Sequence, residues 1–274
     1  MGSERIYSEN AAFQLLESLK TNRNRRYKTR SFWVEGVRNI NQAVESGWDI
    51  LSFLYSFERR LSPWAAEKLK TVPAKRNIEL TAALLNKLSG KDEPSELLAI
   101  VRMRDEAPPL PNCGPAPLFV LFDRPSNKGN LGTLLRSCDA LGASGLLLTG
   151  HAVDIYDPEV IGASMGSFFR VPFLRLSGNE EIDAVFAKLR RQYPGLLLVG
   201  TTAHQKLPVW RVDLRGPALF LLGNEHDGLN RRLADHCDLR ATIPMSENSS
   251  ASSLNVSCAA TALLYEARRQ RETV

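Results

Sequence analysis

The residues of this 274-residue chain whose types and spacing could do chemistry fall in three polar stretches. The first carries Asn130 and, six positions on, Arg136. The second is Gly223-Asn224-Glu225-His226-Asp227-Gly228-Leu229-Asn230, and the third runs from Ile243-Pro244-Met245 through a serine-rich loop to Ser253-Leu254-Asn255. A guanidinium is a permanent cation with forked donors, suited to holding an anion or stabilising negative charge as it develops on oxygen. Amide and carboxylate side chains can orient such a group, or a hydroxyl, through hydrogen bonds. Each stretch directly follows an apolar run: LFVLF, ALFLL and the shorter ATIP. Binding groups in open α/β sheets sit at the carboxyl ends of strands, so the three stretches can converge on one crevice. In the first, the order of strand, Gly-bearing loop and helix places Asn130 at a helix start, where unpaired N–H donors gather, and Arg136 about two turns in. Taken alone, that segment fits equally well an asparagine that caps a helix and an arginine that is merely solvated.

The elements that must position these residues are legible around them. LFVLF, GLLLTG, GLLLVGT, ALFLLGN and ATIP are continuous apolar runs separated by helical segments, the pattern of a parallel sheet covered on both faces. The third stretch enters a long amphipathic helix at about Ser253. Ahead of this α/β domain, from Ser31 to about Asp105, short strands and helices alternate (FWVEG, NINQAVESG, ILSFLYS, PWAAEKLK, TAALLNKLSG, ELLAIVRM), which suits a small α/β or α+β domain. Pro108, Pro109, Pro111, Pro115 and Pro117 make the connector stiff and unable to continue helix or central strand. The expected organisation is therefore a domain over 1–106, a linker over 107–117 and a second domain over 118–274.

The chain carries a net charge of +5 and has 43% hydrophobic residues. That balance fits a globular protein with a real core and leans mildly toward a nucleic-acid partner. Lys20, Arg23, Arg25, Arg26, Lys28 and Arg30 lie between Lys20 and Ser31 without an acid. Asn22, Asn24, Tyr27 and Thr29 are interleaved with them, residue types that bond phosphates and stack on bases; a plain solvated face is the alternative. Cys113, Cys138, Cys237 and Cys258 form no C-x-x-C pair, and His226 and His236 lack i, i+4 spacing, so no metal site is expected. The N-terminus has no apolar h-region and no stretch has the length of a membrane span, which implies a cytoplasmic location. Without G-x-x-x-x-G-K-[ST], a strand-following G-x-G-x-x-G or G-x-S-x-G, the sequence argues against P-loop hydrolysis, dinucleotide binding and an α/β-hydrolase elbow.

With these stretches quoted, the chain resembles the SpoU (TrmH-like) branch of the SPOUT RNA methyltransferases. The likeness rests on Asn130-Leu131-Gly132 with Arg136, on Leu222-Gly223-Asn224-Glu225 with Gly228-Leu229, and on Ile243-Pro244-Met245 followed by Ser253-Leu254-Asn255-Val256-Ser257. The three occur in the family's order. The resemblance implies transfer of a methyl group from S-adenosylmethionine to a ribose 2′-hydroxyl, a trefoil knot near the C-terminus, an exception to the rule that connections do not thread, and a homodimer whose active site is completed across the interface. It implies catalytic roles for Arg136, Asn130, Glu225, Ser253 and Asn255. For the cofactor it implies contacts from Thr201, Thr202, Ala203, Gly223, Ile243, Met245, Ser253 and Leu254. The first domain, through FWVEGVRNINQAVESG and LLNKLSGKDEPSELLAIV, is similar to the substrate-binding module of rRNA-directed members, which favours 23S-type rRNA; a tRNA methyltransferase and a non-catalytic RNA-binding or assembly protein are the alternatives. The chain departs from the pattern between Met245 and Ser253, where seven residues stand in place of about five and the usual glycine is missing.

Overall fold

The computed structural model describes residues 2–105, 113–150, 153–202 and 207–272. Two compact units result: Met1–Asp105 with Asp154–Arg170, and Glu106–Val153 with Val171–Val274.

In the first unit β1 (Gly2–Ile6), α1 (Ala11–Thr21), α2 (Arg23–Thr29), β2 (Ser31–Glu35), α3 (Val37–Glu45), β3 (Ile50–Ser56), α4 (Pro63–Thr71), β4 (Arg76–Leu80), α5 (Ala82–Ser89) and β5 (Leu97–Arg102) follow in order. The sheet order is β1-β4-β3-β5-β2. β1 and β3 flank β4 in parallel, whereas β5 runs antiparallel to both β3 and β2. Helix α1 starts because the Asn10 side chain accepts the Phe13 N–H at 3.0 Å, and its buried stripe of Phe13, Leu16 and Leu19 recurs at helical spacing. Asn22 then ends α1 and caps α2, accepting the Arg25 N–H at 3.1 Å. The basic run thus becomes a short helix of its own.

The run, of which Arg23, Arg25, Arg26 and Lys28 lie in α2, Lys20 in α1 and Arg30 just past α2, does not present six free cations. Arg26 is only 2% exposed; its guanidinium donates to Asp154 at 2.8 Å and to the Leu19 and Lys20 carbonyls, both at 3.0 Å. The Lys20 ammonium closes the end of α5 by donating to the Leu88 and Ser89 carbonyls at 2.9 and 2.7 Å. The run lacks acids in sequence, yet the fold supplies them from far away. Arg26 is corrected from a surface contact to a buried structural ion, and Lys20 to a helix cap. Arg30 pairs with Asp105 at 2.5 Å, Arg25 donates to the Ser18 hydroxyl at 3.3 Å, and Arg23 lies over the Tyr27 ring at 5.6 Å. Lys28 is exposed.

In the second unit the chain passes through β6 (Leu118–Phe122), α6 (Lys128–Ala140) and β7 (Gly145–Thr149). It leaves for the segment 154–170, which contains α7 (Pro158–Ser164), and returns through β8 (Phe173–Leu176), α8 (Asn179–Gln192), β9 (Leu197–Thr201), β10 (Ala218–Leu222), α9 (Arg231–Asp235), β11 (Leu239–Ala241) and α10 (Val256–Glu272). The six strands are all parallel in the order β11-β9-β10-β6-β7-β8. Every residue of β6, β7 and β10 is buried, which is why these strands read as unbroken apolar runs. The chain steps from β6 to β7 and β8, then reappears on the other side with β9 and slots β10 between β9 and β6. The strand order therefore reverses between β10 and β6, where a crevice forms above the carboxyl ends.

The expected second domain over 118–274 gives up residues 154–170 to the first unit. The reason is packing. Tyr156, Phe168 and Phe169 stack around Phe32 with ring centroids 5.0 to 6.3 Å away. The Trp48 indole N–H donates to the Phe169 carbonyl at 3.1 Å, and Asp154 accepts from Arg26 and, at 2.9 Å, from the Tyr27 hydroxyl. The expected linker falls mostly on 107–112, outside the described residues.

Candidate active site

Two asparagines sort themselves into different tasks at the start of α6. Asn127 is the N-cap, its side-chain oxygen accepting the Asn130 N–H at 2.9 Å. The expected start at Asn130 is therefore three residues late, and the Asn130 amide is free to point elsewhere. It donates to Glu225 at 3.1 Å and accepts from the Asn255 amide at 3.0 Å. Asn255 in turn starts α10: its side-chain oxygen accepts the Ser257 N–H at 2.9 Å and the Ser257 hydroxyl at 2.6 Å. Helix α10 begins at Val256, three residues after the expected Ser253. One residue from each polar stretch, Asn130, Glu225 and Asn255, thus forms a continuous chain of hydrogen bonds.

Glu225 anchors that chain. One carboxylate oxygen accepts the Ser126 hydroxyl at 2.7 Å and the Ser126 N–H at 3.2 Å, the other the Asn127 N–H at 3.3 Å and the Asn130 amide. Burial raises its pKa, but hydrogen bonds from Ser126, its own loop backbone and Asn130 outweigh burial, so the net shift is downward. Glu225 is an ionised acceptor, not a proton reservoir near neutrality. A group whose pKa is lower folded than unfolded contributes stability that is fully present above the unfolded value and lost as pH falls through the folded one. The Ser126 amide resonance should therefore hold constant from pH 7 downward until it titrates at a midpoint below that of an ordinary glutamate. A transition centred above about 5 in an NMR titration would contradict this wiring.

The turn that holds Glu225 is closed by backbone. Asn224 and Gly228 exchange two N–H···O=C bonds of 3.0 Å each, while the Asn224 side chain accepts from the His226 N–H at 2.8 Å and donates to the Arg124 carbonyl at 2.6 Å. A Cβ on Gly223 would lie 2.2 Å from both the Gly228 carbonyl carbon and the Leu229 nitrogen, so this glycine is there for close backbone approach. Sequence reasoning missed the residue beneath it all. Asp123, 2% exposed, accepts the Thr149 hydroxyl at 2.6 Å, the Asn230 N–H at 3.1 Å and the Arg124 guanidinium at 3.2 Å. Its one signal was an acid abutting a fully apolar strand.

These loops enclose a cleft of about 680 Å³. Asn130, Thr201, Thr202, Gly223, Glu225, Ile243, Met245, Ser253, Leu254 and Asn255 all line it. His226, expected to be solvated or structural, is exposed and lines it too, as do Asn224, Asp227 and Arg240. Ala203 lies outside the described residues. Arg136 does not line the cleft: it is exposed on α6, and six residues at 3.6 per turn put it about 120° around the axis from Asn130. Among the described residues no cluster of three His, Cys, Asp or Glu side chains could hold a metal ion, and no helix is long and apolar enough to cross a membrane.

An all-parallel sheet with a polar triad and a medium-sized cleft at its switch point defines an α/β protein with a ligand site built from three loops. Comparison with known proteins identifies it further. Residues 117–265 match the SpoU rRNA Methylase family, and residues 10–99 match the SpoU L30e-like domain. The chain belongs to the SpoU rRNA methylase family. It is similar to a 23S rRNA (uridine(2479)-2′-O)-methyltransferase of Streptomyces viridochromogenes, 45% identical over 98% of this chain and 93% of the relative. The crystal structure of the SpoU methyltransferase AviRb from that organism, in complex with AdoMet, superposes with a TM-score of 0.89 at 42% identity, covering 96% of this chain and 99% of that one. An AdoMet-bound rRNA methyltransferase from Sinorhizobium meliloti gives 0.80 at 28% identity, covering 97% and 98%.

Proposed function

We propose that this chain is an RNA 2′-O-ribose methyltransferase that uses S-adenosylmethionine and acts on 23S-type rRNA. The observation that carries the reading is the Glu225–Asn130–Asn255 chain of hydrogen bonds on the wall of the cleft, in a member of this family near full-length similar to a 23S rRNA 2′-O-methyltransferase. The cleft volume suits one cofactor-sized ligand. Ile243, Met245 and Leu254 offer apolar walls for an adenine, and Gly223 lines the same cleft with its backbone. S-adenosylmethionine supplies an electrophilic methyl for in-line displacement. The work left to the protein is to align the ribose hydroxyl and stabilise charge growing on its oxygen. Asn130, held by Glu225, orients Arg136 or the ribose, with Ser253 and Asn255 shaping the pocket from the third loop. Arg136 provides the guanidinium that stabilises the nascent alkoxide or fixes the adjacent phosphate, and the proton leaves late because that group stays protonated.

Arg136 lies off the cleft of its own chain, which supports a homodimer in which a second copy brings this residue to the site. The family's trefoil knot is assigned to the C-terminal unit, where β10 inserts between β9 and β6. A ribosomal substrate supports a cytoplasmic location. Methyl-labelled S-adenosylmethionine, incubated with 23S rRNA or with tRNA, reads the proposal directly. Label should enter 23S rRNA and survive in an alkali-resistant dinucleotide, because a methylated 2′-oxygen can no longer attack its phosphodiester. Label in tRNA alone, or in neither RNA, would overturn the reading in favour of a tRNA enzyme or an assembly factor.

For RNA grip, the proposed surface is now Arg23, Arg25, Lys28 and Arg30, since Arg26 and Lys20 are internally engaged. Arg23→Ala with Arg25→Ala and Lys28→Ala should flatten the dependence of log affinity on log salt by roughly 0.7 to 0.9 per lost phosphate contact. Filter binding at several salt concentrations with an unchanged slope would remove this helix from the interface.

A further inference from the structure

Strand β11 places one cation at the edge of the cleft that the reaction described above does not use. Arg240 pairs in register with Gly200 of β9, and Ala241 with Thr201. Alternation along a strand sends Arg240 to the face opposite its neighbours. The space left by the missing Cβ at Gly200 is taken by the Cys237 sulfur, 2.7 Å from where a Cβ would sit, with a Leu229 methyl and Arg240 Cγ at ordinary contact distance, 3.4 and 3.5 Å. The stem lies beside Gly200 of β9, and Arg240, Leu229 and Ala234 all line the cleft. The guanidinium makes one hydrogen bond among the described residues, a long one of 3.4 Å to the Ala234 carbonyl, and the residue is exposed.

The other charged groups of the cleft wall are already engaged. Glu225 is saturated by Ser126, Asn127 and Asn130, and Asp227 lies 3.5 Å from the Arg124 guanidinium. Arg240 is the cation among the described lining residues, with several unspent donors in a planar fork that matches a carboxylate. We infer that Arg240 is a binding residue for the α-carboxylate of the amino-acid end of the methyl donor. This rests on the proposed function, which supplies a ligand with one carboxylate beside a nucleoside. It divides the cleft by chemistry: apolar walls and backbone for the adenosine, the Asn130 triad for the ribose acceptor, and Arg240 for the amino-acid tail.

Calorimetric titration of the full chain with S-adenosylhomocysteine and with methylthioadenosine, which has the same nucleoside and thioether without the amino acid, isolates this contact. Arg240→Gln should weaken S-adenosylhomocysteine at least about tenfold, about 1.4 kcal/mol, and leave methylthioadenosine within about twofold (~0.4 kcal/mol). Arg240→Lys should recover part of the loss, as a point charge without the fork. If the variant weakens both ligands equally, or neither, the assignment is wrong. Failure of the unmodified chain to bind either ligand at millimolar concentration would instead remove the proposed function itself.

Discussion

Arg26→Ala should cost the first unit about 3–5 kcal/mol, the effect of leaving a buried charge without its partner. The residue is engaged by a buried carboxylate, a second one at 3.5 Å and two carbonyls, and its side chain and that of Asp154 are 2% and 4% exposed. Removing it leaves Asp154 buried with the Tyr27 hydroxyl and the Tyr156 N–H as its donors among the described residues. Three of the four tryptophans, Trp33, Trp48 and Trp64, belong to this unit, so urea unfolding followed by tryptophan fluorescence reports on it. Arg23→Ala, which loses a half-buried contact with the Tyr27 ring and strands no buried charge, should shift the midpoint little. Equal shifts for the two substitutions would mean that the burial of Arg26 contributes nothing.

Arg136→Ala should lower methyl transfer at least about a hundredfold, a loss of about 2.7 kcal/mol of transition-state stabilisation. S-adenosylhomocysteine affinity and the melting temperature should stay near those of the unmodified chain, because Arg136 is exposed and does not line the cleft. Arg136→Lys should rescue poorly, since an ammonium lacks the planar fork. A loss of less than about tenfold in single-turnover assays, about 1.4 kcal/mol, would sink the role. The position of Arg136 adds a sharper arm. If a second copy completes the site, mixing Arg136→Ala chains with Glu225→Gln chains should regain activity that neither has alone, because one site of each mixed dimer is intact. No recovery from exchanging dimers would place Arg136 and Glu225 in the same chain's site.

The three polar stretches were legible because each is short, contiguous and set directly behind a buried strand, so sequence order and spatial order coincide. Asn130, Glu225 and Asn255 meet because β6, β10 and β11 end on the same side of one parallel sheet. What sequence reading placed three residues off, the starts of α6 and α10, turned on which of several side chains does the capping. Asn127 and Asn130 are both competent caps, and only the carboxylate of Glu225, 95 residues from Asn130, decides between them. The strands that escaped notice are edge or polar ones. β8 is four residues with alternating burial, and β1 and β4 read GSERI and RNIEL, whose polar side chains hide the pairing. The basic run misled for a similar reason. Local composition showed cations without acids, while Asp154 and Asp157 approach from more than 120 positions away.

The excursion of residues 154–170 has a consequence for anyone who would take the protein apart. The match to the methylase family runs unbroken over 117–265, which invites a cut in the proline-rich connector and expression of the C-terminal piece alone. Such a piece would carry Tyr156, Phe168 and Phe169 away from Phe32 and Trp48, against which they pack, and would leave Asp154 without Arg26. The N-terminal piece would in turn lose one wall of its aromatic core. Each fragment would expose sticky rings and an orphaned charge, a recipe for aggregation. The boundary along the chain and the boundary through the packing do not coincide here. A recombination that swapped L30e-like domains between relatives at the connector would therefore have to bring along a matching stretch from the heart of the methylase domain.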